Sequence, residues 1–133
     1  MTETKGDRVD GGDSPLREMA LSTPTCLWND SASAAELRRA MTWGAVGSTC
    51  NPVLALTALK AERSRWHARV QELARQYPLE SESALGWRLV RELAVEAAGV
   101  LEGEFQKQAG RNGRVSIQTD PRHYRDAAAI TQQ

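Results

Sequence analysis

Gly47-Ser48-Thr49-Cys50-Asn51-Pro52-Val53-Leu54 decides how this chain is read. The stretch follows the short apolar run Ala45-Val46 and opens a helical pattern. Pro52 suits the first helical position, where its fixed φ is preorganised and its missing N–H is not needed. Asn51 can cap that helix with its side-chain oxygen. The same residue stands at the carboxyl end of a strand. Folding does not require a polar Thr-x-Asn-Pro at that junction, so the block points to chemistry.

Working outward, Gly44 closes a helix that begins at Ser33-Ala34-Ala35-Glu36. That tetrad has capping-box form: Ser33 can hold amides of the first turn while Glu36 reaches back. Leu37, Ala40 and Met41 follow at helical spacing. Before it, Thr25-Cys26-Leu27-Trp28-Asn29-Asp30-Ser31 reads as an apolar run ending in an aspartate. After Pro52, Val53, Leu56 and Leu59 mark one helix, and Trp66, Val70, Leu73 and Tyr77 a second. Pro78 interrupts. Leu85, Leu89, Leu93, Ala97, Val100, Leu101 and Phe105 then mark a longer helix. Gly110 and Asn112-Gly113 supply a stop and a turn. Strand three is expected over about Arg114 to Thr119, and Asp120-Pro121 caps and starts a final helix.

The order is β-α-β-α-α-α-β-α. Strands separated by helices imply parallel pairing through right-handed crossovers, hence an α/β fold. Alternation along parallel strands sorts side chains onto two faces. If Asp30 faces inward, so do Trp28 and Cys26, and Asn29 points to the helices. If Asn51 faces inward, so do Thr49 and Gly47. If Gln118 does, so does Ser116, and Val115 and Ile117 pack on helices.

Composition bounds the rest. The chain has 133 residues, enough for one domain. Residues 1–22 read as a disordered amino-terminal tail, since Met1 to Pro15 are polar and Gly-rich and lack the apolar core of a signal peptide. Residues 23–133 form the folded part. Lys plus Arg and Asp plus Glu number 17 each, so charge makes no case for nucleic acid or an anionic membrane. No apolar run approaches the ~18 residues of a membrane span. Cys26 and Cys50 would lie at opposite ends of neighbouring parallel strands, about 13 Å apart at ~3.3 Å per residue. A disulfide needs Cα atoms within about 7 Å, so free thiols and a reducing cytoplasm are expected.

Taken in order, the segments around Asp30, Asn51 and Gln118 resemble the amino-terminal third of a transaldolase, over roughly Thr25 to Gln133. Cys50 departs from the Ser or Thr usual in that family's block, and Val53 from a small residue. The resemblance implies an α/β fold that is part of a (β/α)8 TIM barrel. The chain would hold the first three strands, with extra helices between strands two and three. A closed barrel takes ~200 or more residues. It also implies carbohydrate metabolism, within the pentose phosphate pathway. The reaction is three-carbon ketol transfer between sugar phosphates through a lysine Schiff base, with no cofactor.

By the same resemblance, Asp30 is the strand-one aspartate that moves protons to and from substrate hydroxyls; read from its own neighbours it is a turn or cap. Asn51 is the substrate-binding asparagine; read locally it is the cap before Pro52, and different atoms can serve both roles. Thr49 is a substrate-side hydroxyl, or simply a β-branched strand residue. Gln118 replaces a glutamate that works through a water. An amide can position that water but cannot take its proton. Asp120 is expected to be a helix cap.

The family's nucleophilic lysine lies on barrel strand four. Lys5, Lys60 and Lys107 are the three lysines here, one in the tail and two near helix ends. A Schiff-base lysine must be desolvated or otherwise activated. None of these stands on a strand. His67 and His123 read as surface residues, with no metal-ligand spacing around them. Arg38-Arg39 and Arg63-x-Arg65 read as solvated helix faces, and Trp43, Trp66 and Trp87 as packing residues. The expectation is a transaldolase-like chain, inactive as a fragment. Its rivals are a non-catalytic barrel remnant or interaction module, self-associating through open sheet edges, and an aldolase-type lyase of the same fold.

Overall fold

A computed structural model describes residues 14–133. Helix α1 (Pro15–Ser22) opens with a proline in its first turn, and Arg17 Nη1 donates to the Thr42 carbonyl at 3.0 Å. The disordered tail expected over 1–22 therefore does not extend to this segment; its residues 1–13, with Lys5, lie outside the described residues. Ala20 packs against Gly44, whose φ is +93° and whose added Cβ would stand 2.8 Å from the Ala20 Cβ. Glycine is required there twice over, by conformation and by space.

Strand β1 (Leu27–Asn29), helix α2 (Ala34–Thr42) and strand β2 (Ala45–Cys50) follow. Ser33 caps α2, accepting the Glu36 amide at 3.4 Å. Helices α3 (Pro52–Ala61), α4 (Arg63–Gln76) and α5 (Glu82–Lys107) separate β2 from β3 (Arg114–Ile117). The sheet is wholly parallel in the order β1-β2-β3. The expected α/β architecture, with extra helices before the third strand, is what forms.

Gly113 makes the last turn close. Its φ is +75°, and a Cβ there would fall 2.2 Å from the Phe105 backbone nitrogen, so the end of α5 lies directly on the turn. The expected final helix is corrected. Asp120 caps only a 3₁₀ turn, Pro121–His123; helix α6 (Ala127–Gln132) starts later and is capped by Asp126. Strand β3 also stops at Ile117, two residues short of Thr119.

Helices α2 and α5 cover one face of the sheet. Leu37, Cys50, Leu93, Ala97 and Leu101 are buried there, and Val115 packs against them. Ala55, Ala58, Trp66, Leu73 and Leu89 extend the same core under α3 and α4. Leu101 is fully buried; truncating such a side chain to alanine costs about 2–5 kcal/mol. Arg65 sits on a solvated face, as expected, and is paired there. It pairs with Glu96 at 2.6 Å, and Arg69 with Glu92 at 2.7 Å, so α4 is tied across to α5. Pairs this exposed contribute about 0–1 kcal/mol each and chiefly set the register of the two helices.

Candidate functional site

Two polar doublets meet where β1 and β2 end: Asn29-Asp30 and Ser48-Thr49. The register pairs Trp28 with Gly47 and Asn29 with Ser48, which brings Asp30 opposite Thr49. Thr49 Oγ1 donates to Asp30 Oδ1 at 2.6 Å. Asp30 is exposed, and its Oδ2 has no protein partner among the described residues. Trp28 lies on this same face. Its ring spans Gly47 so closely that an added Cβ would be 2.6 Å from Cε2. The bulky indole is accommodated on this face because its neighbour on β2, Gly47, has no side chain.

The alternate residues point the other way and hold the loop. Ser48 is fully buried; its hydroxyl donates to the Ser31 carbonyl at 2.5 Å. Asn29 Nδ2 donates to the same carbonyl at 2.9 Å, and Ser31 Oγ accepts the Ser33 amide at 3.1 Å. A buried hydroxyl left unpaired costs about 1–3 kcal/mol, so this arrangement fixes the backbone that carries Asp30. Ser31 and Ser48 were not singled out in the sequence. The signal was available: two polar doublets at aligned strand ends must split between the two faces.

Asn51 caps α3. Its Oδ1 accepts from Val53 N at 2.9 Å and Leu54 N at 3.0 Å. Its Nδ2 donates to no protein group among the described residues, so the amide remains available on the strand end. Gln118 prolongs the β2–β3 pairing by donating its backbone N–H to the Cys50 carbonyl at 3.1 Å. That position faces Asn51 across the sheet. No hydrogen bond joins its side chain to Asp30, Thr49 or Asn51 among the described residues. Instead Gln118 lines a cleft of about 830 Å³ together with Trp87, Asp120 and Arg122.

Asp120 borders that cleft and is 3% exposed. Its carboxylate accepts from Trp87 Nε1 at 2.8 Å, from the Arg122 backbone N–H at 2.9 Å and from Arg122 Nε at 2.8 Å. Arg122 Nη2 also pairs with it and reaches Ser83 Oγ at 2.5 Å. The Arg122 guanidinium, helped by the Arg122 amide and the Trp87 indole, holds the Asp120 carboxyl well below the usual carboxylate range. A carboxylate so stabilised does not accept a proton near neutral pH, so Asp120 does not serve as a base beside Gln118. Trp87 thus packs and also donates, which its apolar spacing did not reveal.

Lys60 and Lys107 are exposed, in the last turns of α3 and α5. No lysine stands on a strand among the described residues. Cys26 and Cys50 are free thiols, and burial pushes the Cys50 thiol up, away from reactivity. The described residues contain no cluster of metal-ligating side chains.

The arrangement is one exposed carboxylate, one hydroxyl bonded to it and one amide N–H₂, at the carboxyl ends of parallel strands. It can move a proton and orient a polyhydroxylated ligand. Comparison with curated proteins gave no match. Residues 27–133 match the model of the Transaldolase/Fructose-6-phosphate aldolase family, and the chain belongs to that family.

Proposed function

We propose that this chain contributes the strand-one and strand-two side of a transaldolase site acting on sugar phosphates. The observation that carries the reading is the Asp30–Thr49 hydrogen bond at the ends of two parallel strands, in a chain of this family. Carboxyl ends of strands are where barrel enzymes hold their reacting groups. In the proposed reaction a lysine amine condenses with the ketose carbonyl to a Schiff base. Asp30 takes the proton from the substrate hydroxyl as the carbon–carbon bond breaks, and returns one when the three-carbon unit joins an acceptor aldose. Asn51 Nδ2 hydrogen-bonds the bound chain. Gln118 orients a water without acting as base.

The amine itself is not supplied by Lys60 or Lys107, which sit on helices away from the strand ends. The 133-residue chain is therefore proposed to be inactive alone, as a fragment of the complete fold. No described helix is long and apolar enough to cross a membrane; the two free cysteines support a cytoplasmic location.

Reconstitution tests the reading. Coexpressed with a polypeptide carrying strands four to eight of a family barrel, the chain should support fructose 6-phosphate turnover. Asp30→Ala should abolish it. Turnover that is indifferent to Asp30→Ala would contradict the assignment. Aldol cleavage, the lyase alternative, would proceed without an acceptor aldose, whereas transfer requires one.

A second reading, a non-catalytic interaction module, is favoured by a different observation. Strands β1 and β3 are both edge strands of the sheet, and open edges promote association. Sedimentation of the purified chain should then show concentration-dependent oligomers. A monodisperse monomer with a sharp melt would reject that reading.

A further inference from the structure

We propose that Thr49 is a positioning residue that aims the Asp30 carboxylate, and not a hydroxyl that binds substrate. The inference rests on the proposed role of Asp30 and refines the part played by its neighbour.

A threonine hydroxyl has one proton to give, and an ionised carboxylate can only accept. The 2.6 Å contact therefore fixes the direction: Thr49 donates and Asp30 Oδ1 receives. With its proton committed, Thr49 cannot donate to a ligand without releasing Asp30. The donor available to a ligand on β2 is instead Asn51 Nδ2, whose Oδ1 is occupied by the cap.

Asp30 needs such a support. It is the first residue past β1, which ends at Asn29, so no strand ladder orders it. Its backbone is fixed from the helix side through Ser31, where Ser48 and Asn29 converge on one carbonyl. The side chain, exposed on the other face, has Thr49 as its protein donor among the described residues. Threonine suits the task because branching at Cβ restricts χ1 and so fixes the hydroxyl relative to β2. The result is an asymmetric carboxylate. Oδ1 is held, and Oδ2 is left to exchange a proton with a substrate hydroxyl.

Side-chain rotamers in the full 133-residue chain test this. Hα–Hβ couplings of Asp30 should report one dominant χ1 well in the wild type and in Thr49→Ser, which keeps the hydroxyl. In Thr49→Val, which keeps the shape and lacks the donor, they should collapse to the averaged values of a free side chain. Amide shifts beyond β1 and β2 should be unchanged. Thr49→Ala gives the same readout should Thr49→Val fail to fold. A single Asp30 rotamer retained in Thr49→Val or Thr49→Ala overturns the proposal, as does averaging already present in the wild type. Failure of the transaldolase reading is separately visible: Asp30→Ala would leave turnover of the reconstituted barrel intact while the rotamer result stood.

Discussion

Two aspartates stand at strand ends in this protein, and their surroundings are opposite. Asp120, three residues past β3, is buried and receives hydrogen bonds from Trp87 on α5 and from Arg122 in the next turn. Asp30, just past β1, is exposed and receives one, from Thr49. A carboxylate enclosed by donors is stabilised as the anion and joins elements together. A carboxylate held at one oxygen keeps the other for exchange. The residue type is the same, so the donors around each group decide how firmly each carboxylate is held.

That contrast is easiest to break by removing the carboxylates. Asp120→Ala should give the largest loss of stability among these strand-end changes, because it strands the Trp87 indole N–H and frees Arg122 and Ser83 from the end of β3. Asp30→Ala should stay within about 0.5 kcal/mol of wild type, as exposed substitutions usually do. Thermal melts of the two variants side by side decide it. Equal losses would remove the distinction.

Trp87→Phe should cost about 1–3 kcal/mol, since it keeps the ring but withdraws a donor from a buried carboxylate. Chemical denaturation measures it. An unchanged midpoint would mean that Arg122 alone secures Asp120.

A pH series sharpens the same point. The folded-state value of Asp120 lies below its ordinary one. Its contribution is therefore fully present above the unfolded-state value, near pH ~4, and is lost as pH falls from there toward the folded value. The wild-type melting temperature should drop over that acid range, and Asp120→Asn should flatten the drop.

The smallest effect concerns Ser48 and Thr49. Ser48→Ala leaves the Ser31 carbonyl with Asn29 as its remaining side-chain donor and should cost about 1 kcal/mol. Thr49→Val, on the exposed side, should cost less. Denaturant midpoints of both variants check the order.

Much of this contrast was legible before any coordinates. Asn51-Pro52 marked the β2–α3 junction because a cap and a first-turn proline leave few alternatives. Strand parity placed Thr49 with Asp30 and sent Asn29 toward the helices. Other features were not legible for physical reasons. Asp120 read correctly as a cap, but its clasp to Trp87 spans 33 residues and depends on how α5 packs on β3. The space for Trp28 comes from Gly47 across the register, a pairing that alternation along a single strand does not give. The helix over Pro15–Ser22 carries no buried residue, so its apolar pattern was too weak to separate it from the polar segment before it. The last helix began late because Asp126, rather than Asp120, caps it.

The central claim is that this chain holds the Asp30 side of a transaldolase site and supplies no Schiff-base amine. Borohydride reduction of the isolated chain with fructose 6-phosphate, followed by intact mass and peptide mapping, tests it most directly. A Schiff base needs an amine held against the substrate carbonyl in an organised pocket. No stoichiometric adduct is expected. Specific, stoichiometric labelling of Lys60 or Lys107 would contradict the account and move the site to the helices.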